Sequence, residues 1–201
     1  MTSTEKQTFR DRANRAAREL EKEKSAFGYI NDGAGRRYRI GVNFLLSGDL
    51  QRSAEAFDWF YEEFPDDVGE PVFNLYSALA AYRCGEMDKA RTRLLGTMLS
   101  NIFLLPHLIG RKFEAPDAWH PSNRHQESYL GEIEGFLSEP SSEELRWIEA
   151  ELSTPSFEAL RSGYIATFSA LNGEQDIGKR VGILKQWEIL QAAHFPDEGV
   201  N

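Results

Sequence analysis

The residues best suited to chemistry in this 201-residue sequence are its four histidines and its single cysteine. Cys84 and His107 are the residue types of a thiol nucleophile and its general base, although Cys84 falls where a turn between two helices is expected. His120, His125 and Glu127 are of metal-binding types, but their spacing matches no metal motif. A small metal-dependent enzyme that uses His107, His120 or His125 therefore stays open as an alternative hypothesis.

No other motif points to a reaction. The sequence has no phosphate-binding glycine loop, no Gly-x-Ser-x-Gly elbow and no paired-histidine motif, so we expect no catalysis and no cofactor. A net charge of -9 argues against nucleic-acid binding, which needs a basic face. The most apolar stretch, residues 101–110, is too short to cross a membrane. Because the N-terminal residues lack an apolar core, we expect no secretory signal and a cytoplasmic protein.

The elements that must position these residues are all helical. Apolar residues recur at helical spacing in most of the chain, and no stretch alternates with the period of a strand, so the fold class is predicted to be all-α. A first helix over residues 4–24 has a thin, alanine-rich apolar stripe. The last helix, residues 175–194, has the following residues on its apolar side: Ile177, Val181, Leu184, Trp187 and Leu190.

One helix–turn–helix pattern occurs twice in the first half of the chain. Gly48 and Gly85 lie 37 residues apart, and each is followed by an acidic residue, an apolar residue and an amphipathic helix. Self-similarity at this period is typical of stacked helical hairpins.

The segment from Ala34 to Pro65 resembles a tetratricopeptide repeat. The residues that carry the resemblance are Ile40, Gly41, Phe44, Gly48, Ser53, Phe57 and Pro65. In this interpretation Gly41 and Ser53 let two helices approach closely, while Phe44 and Phe57 fill the space around that contact. Arg37 and Phe60 depart from the family pattern. A second, partial unit begins at Pro71 and keeps Ala78, Gly85, Ala90 and Leu94.

The resemblance implies a right-handed solenoid of antiparallel helix pairs within one domain, residues 1–201. Residues 1–33 form an N-terminal helix and loop, residues 34–110 form two hairpins, and residues 111–201 form a helical cap. Because about three repeats are needed for stability, the extra helices are expected to cover faces that two hairpins leave open.

The family usually binds its ligands in a groove lined by the first helix of each pair. Carried onto this sequence, the predicted partner-binding residues are Tyr38, Arg39, Val42, Leu45, Leu46, Val72, Leu75, Tyr76, Leu79, Tyr82 and Arg83. This apolar, tyrosine-lined groove predicts an adaptor or regulator that binds a protein or peptide. The chain's own first or last helix is an equal candidate to fill the groove, since an open apolar surface promotes aggregation.

Charge is uneven along the chain. Residues 1–48 carry a net charge of +4 and the remaining residues carry -13. Arg36, Arg37 and Arg39 are expected to pair with the carboxylates of Glu62, Glu63, Asp66 and Asp67 rather than to bind an acidic partner. The acidic remainder leaves open a second alternative, a neutralising protein for a basic toxin or nuclease. Three tryptophans at helical spacing are predicted core residues: Trp59, Trp147 and Trp187.

Overall fold

The computed structural model of the protein describes residues 1–137 and 140–194, and it is all-helical in these ranges, as the sequence predicts. Two short 3-10 helices cover Asn123–His125 and Glu134–Phe136. The α-helices of the described residues are α1 (Ser3–Phe27), α2 (Arg37–Ser47), α3 (Leu50–Glu63), α4 (Pro71–Arg83), α5 (Met87–Ser100), α6 (Leu104–Leu108), α7 (Tyr129–Ile133), α8 (Ser142–Leu152), α9 (Pro155–Leu171) and α10 (Ile177–Ala192).

The chain divides into two compact units, residues 1–93 and the residues from 94 onward. The division falls inside α5, whereas the sequence interpretation ends the two hairpins at residue 110. Each unit has its own buried apolar residues.

A close contact between α2 and α3 organises the first unit. A Cβ atom added to Gly41 would lie 2.9 Å from the Phe57 ring, so only glycine fits this position without a shift. Ser53 Oγ donates a hydrogen bond of 2.9 Å to the Gly41 carbonyl oxygen and ties the two helices together. The Phe57 ring also packs edge-on against Phe73 of α4. The predicted small-residue contact of the first hairpin is therefore confirmed.

The long helix α1 packs along α2. It begins with a capping box in which Thr2 and Glu5 each accept from the other's backbone, and it ends at Gly28 in the left-handed conformation. Its buried residues are Ala13, Ala16 and Leu20. They form one cluster with Ile40 and Phe44 of α2.

In the second unit, α9 and α10 form a hairpin. The Trp187 ring of α10 lies 5.9 Å from the ring of Tyr164 and 6.2 Å from that of Phe168, both on α9. Trp147 and Trp187 are buried, which confirms their predicted core positions, whereas Trp59 is only half-buried. The apolar side predicted for the last helix is only partly right, because Ile177, Val181 and Leu184 are exposed.

The side chain of Asn101 fixes the loop that carries His125. Its amide nitrogen donates to the carbonyl oxygens of Arg124 and Gln126, at 2.6 and 3.1 Å. Its amide oxygen accepts from the backbone N–H groups of Phe103 and Leu104, each at 3.0 Å. The fully buried Asn101 is thus satisfied on both sides and orders this part of the second unit.

Candidate functional site

The predicted groove residues differ widely in exposure. On α2, Arg39 is exposed and Tyr38, Val42 and Leu46 are half-buried, whereas Leu45 is buried. On α4, Val72, Tyr82 and Arg83 are half-buried. The remaining three, Leu75, Tyr76 and Leu79, are at most 3% exposed.

The prediction of an accessible surface at Leu75, Tyr76 and Leu79 is therefore wrong for this structure. Ten of the 13 residues of α4 are buried, so the helix has hardly any free side. The sequence contains the reason, because apolar and small residues occur around the whole circumference of α4, and a helix that is apolar all round is a buried helix.

The basic residues before and on α2 are engaged within the first unit. Arg37 forms ion pairs with Asp67 at 2.8 Å and with Asp32 at 3.2 Å. Arg36 contacts Asp32 and two glutamates of α1, Glu19 and Glu23. The predicted Arg37–Asp67 pairing is confirmed. Arg36 instead pairs with Asp32 and α1, and Arg39 donates to the Ala34 carbonyl oxygen.

Hydrogen bonds make the Asp67 carboxylate a fixed acceptor. Burial opposes its ionisation, but the bonds that it accepts from Tyr38, Gly69 and Arg37 outweigh burial and hold its pKa below the ordinary value. The Tyr38 hydroxyl donates to it at 2.6 Å, and Arg37 Nε donates at 2.8 Å. This network fixes the loop after α3 to the start of α2, which is a structural role.

A cavity of about 270 Å³ lies among α1, α2 and α3 and is a candidate site of the first unit. Exposed residues at its edge, among them Glu21 and Glu55, open it to solvent. An engineered cavity of about 150 Å³ is large enough to hold benzene, so this one has room for a large apolar side chain. The lining residues are Ala17, Leu20, Glu21, Ile30, Ile40, Phe44, Arg52, Glu55, Ala56 and Trp59.

The cavity exists because small side chains line the space between α1 and α3. Ala17 and Ala56 supply little volume, and they pack at the edge of the buried cluster rather than inside it. Leu20 is buried deeper in the same wall. Trp59, which is half-buried, adds a large aromatic surface to the cavity.

Charged side chains surround the cavity mouth. The Arg52 guanidinium carbon lies 4.0 Å from the centre of the Phe44 ring, and the same group donates to Asn14 Oδ1 at 2.6 Å. Glu55 accepts a hydrogen bond from Gln51. Within the described part of the chain, Glu21 makes no hydrogen bond or ion pair. The mouth therefore has a net negative charge, and a free carboxylate lies at its edge.

The histidines do not assemble a metal site in the described residues. No group of three or more histidine, cysteine, aspartate or glutamate side chains suitable for a metal ion occurs in residues 1–137 and 140–194. His107 is exposed, and His125 Nδ1 lies 3.0 Å from Ser122 Oγ. Burial, and next the charge of nearby His120, lower the pKa of His125.

Cys84 lies at the end of α4 in the first unit, whereas His107 belongs to the second. Partial burial and then the Glu86 carboxylate raise the pKa of the Cys84 thiol. A cysteine nucleophile needs a lowered pKa, so this environment disfavours the reactive thiolate. Its Sγ lies 3.6 Å from the Leu50 carbonyl oxygen, and the side chain is exposed rather than packed in the core.

Comparison with protein-family models, with curated proteins and with solved structures gives no match. None of the described helices is both long and apolar enough to span a bilayer.

The sequence analysis missed the cavity. The sequence predicts a core position for Trp59 and a thin, alanine-rich apolar stripe for the first helix, and neither prediction indicates a cavity. The available signal was the thinness of that stripe, since a helix that packs through alanines leaves space beside its larger neighbours.

Proposed function

We propose that this protein is a cytoplasmic adaptor that binds a protein or peptide, and that the cavity among α1, α2 and α3 receives an apolar side chain of the partner. The observation that carries the proposal is a cavity that is open to solvent, has apolar side chains on its inner walls and has charged groups at its edge, as many binding sites do. The proposal includes no reaction and no cofactor.

We further propose that α2–α5 are two tetratricopeptide-like pairs of a right-handed solenoid. The close Gly41–Phe57 contact and the left-handed Gly48 between α2 and α3 support the first pair. Fully buried Ala78 and Ala90, with left-handed Gly85 between α4 and α5, support the second. Proteins built in this way commonly bind peptides.

The cavity and its rim define the chemistry of the partner. An apolar residue such as leucine, methionine or phenylalanine fits the volume, and Ile40, Phe44 and Trp59 would bury it. A lysine or arginine next to that residue would meet Glu21 and Glu55 at the mouth. The partner is thus a segment with an apolar anchor and an adjacent basic residue.

The accessible part of the predicted groove is a separate surface. Val42 and Leu46 lie on the side of α2 opposite Ile40 and Phe44, as the helical period requires. A side chain held in the cavity would not contact them. Binding at the accessible members of the predicted set stays a prediction in its own right; these are Tyr38, Arg39, Val42, Leu46, Val72, Tyr82 and Arg83.

A displayed library of random peptides tests the proposal. We expect selection on the wild-type protein to enrich peptides with one large apolar residue next to a basic residue. Ala17→Leu fills the cavity and should lower the affinity for these peptides by about tenfold or more, because the large apolar residue of the peptide no longer has space there. Ala26→Leu, at an exposed position of the same helix, is the matched control and should leave affinity unchanged.

Two further measurements make the test decisive. Thermal unfolding should show that Ala17→Leu is folded, and Glu21→Lys should weaken binding most at low salt, because salt screens exposed charges. Selected peptides that bind wild type and Ala17→Leu equally would refute the cavity as the binding site. Enrichment of acidic peptides would refute the charge assignment.

A further inference from the structure

The guanidinium group of Arg52 covers one wall of the cavity among α1, α2 and α3. Its central carbon lies 4.0 Å from the centre of the Phe44 ring, within the range of a cation–π contact. Phe44 lines the cavity and yet is only 3% exposed, whereas Arg52 is exposed. An apolar group that enters the cavity therefore finds little of the Phe44 ring accessible while Arg52 stays in place.

A hydrogen bond fixes Arg52 in this position. Its Nη2 donates at 2.6 Å to Oδ1 of Asn14, and this contact joins α3 to α1. In residues 1–137 and 140–194, Arg52 pairs with no carboxylate. A guanidinium that is bonded to a neutral amide is held less strongly than one that is paired with a carboxylate. The contact is therefore one that an incoming group can break.

A second position for Arg52 is available on its own helix. Glu55 follows Arg52 by three residues, a spacing at which side chains of a helix meet, and it also lines the cavity. Its carboxylate accepts a hydrogen bond from Gln51 but forms no ion pair in the described part of the chain. A guanidinium that leaves Phe44 can pair with Glu55. Glu21 then remains as the carboxylate that meets the basic residue of a partner.

We propose that Arg52 is a gate of this cavity, closed on Phe44 and Asn14 in the free protein and displaced when an apolar side chain of a partner binds against Phe44. This inference rests on the proposed function of the cavity. The closed position lowers the apparent affinity in proportion to the fraction of molecules in which the gate is open. The gate thus favours large apolar side chains, which reach Phe44 and displace Arg52, over small ones, which do not.

Binding of a defined neutral probe tests the gate. Acetyl-phenylalaninamide presents one large apolar side chain and no charge, so a change of charge at the cavity mouth has little influence on its affinity. We expect Arg52→Ala to lower its dissociation constant by about threefold or more, because Phe44 is uncovered. Arg15→Ala removes the same charge at an exposed position, on the opposite side of α1 from Ala17, and should bind the probe like wild type. Nuclear magnetic resonance titration measures these weak affinities.

Two substitutions of Asn14 change the gate in opposite directions. Asn14→Ala removes the acceptor of the Arg52 hydrogen bond and should strengthen binding of the probe. Asn14→Asp replaces the neutral amide with a carboxylate, which pairs with Arg52 and should weaken binding of the probe. An Arg52→Ala variant that binds the probe as wild type does, or more weakly, would overturn the gate. The same sign of effect for both Asn14 variants would also contradict it.

The same titration separates the gate from the binding site itself. Ala17→Leu fills the cavity and should abolish binding of the probe. If Ala17→Leu blocks the probe while the changes at Arg52 and Asn14 leave the affinity unchanged, the cavity is a binding site and the gate is refuted. If no variant binds the probe, or if Ala17→Leu binds it like wild type, both proposals fail. Unchanged helical circular dichroism controls for the folding of each variant.

Discussion

The helix pairs α2–α3 and α9–α10 use the same packing device with different results. Each brings two helices together at a glycine: Gly41 lies against Phe57, and Gly163 lies against Leu190. In the first pair, α1 packs on α2, and α4 packs on both α2 and α3. In the second pair, the outer side of α10 keeps apolar side chains in contact with solvent. Small residues thus determine how closely two helices pack, but helices distant in sequence determine whether the outer faces stay free.

The largest expected effect is on the free energy of unfolding when glycine is replaced in a close helix contact rather than at an open position. Gly41→Leu should destabilise the protein by about 3 kcal/mol or more, because the new side chain must displace the Phe57 ring. Gly182→Leu, in open space on α10, is the matched control and should not destabilise the protein. Urea unfolding of dilute protein measures both. Equal destabilisation of the two variants would contradict the comparison.

A smaller effect is expected for glycine-to-alanine substitutions in the α9–α10 hairpin, where the change in stability should differ in sign between two positions. Gly163→Ala should destabilise by about 1–3 kcal/mol, since Leu190 must move. Gly182→Ala should stabilise by about 0.5–1 kcal/mol, since it adds helix propensity where a Cβ atom has no neighbour within 4 Å. Differential scanning calorimetry of dilute samples compares them. The same sign for both substitutions would show that the two glycines do not differ as the structure indicates.

The smallest expected effect distinguishes the acid sensitivity of the two units. The pKa of His125 is lowered from 6.5 by burial and by His120, so the unfolded chain takes up its proton first. The stability that neutral His125 preserves is present above pH 6.5 and is lost as pH falls through the lowered pKa. In the first unit, the lowered pKa values of Asp58 and Asp67 bring a loss only below about pH 3.8.

Urea midpoints at about pH 7.5 and about pH 5.5 measure this loss. His125→Gln cannot titrate and should show a smaller decrease than wild type between the two conditions. An identical decrease in both proteins would assign the acid sensitivity to other groups.

Helical periodicity predicted the all-α fold and the first helix contact well, because both depend on residues close together in sequence. Gly41, Ser53 and Phe57 meet as the repeat pattern requires. Burial of α4 differs from the prediction because apolar residues surround this helix, whereas a family groove needs one accessible side.

The candidate sites were less accessible to sequence reasoning. The cavity exists because the small side chains of Ala17 and Ala56 leave space unfilled, and hydrophobic periodicity does not indicate such unfilled space. The exposed apolar side chains of α10 look like a packing face, since the hydrophobic pattern shows which side is able to pack and not whether a neighbour covers it. Ion pairs such as Arg37–Asp32 depend on loop geometry, which spacing alone does not define.

The single cysteine allows the first unit to be labelled at one defined site. Cys84 is exposed and is the only thiol of the chain, so a maleimide dye would attach at one defined point without further engineering. Its raised pKa means that alkylation should accelerate steeply in mildly alkaline buffer. A fluorophore there, excited by energy transfer from tryptophan, would report partner capture in real time.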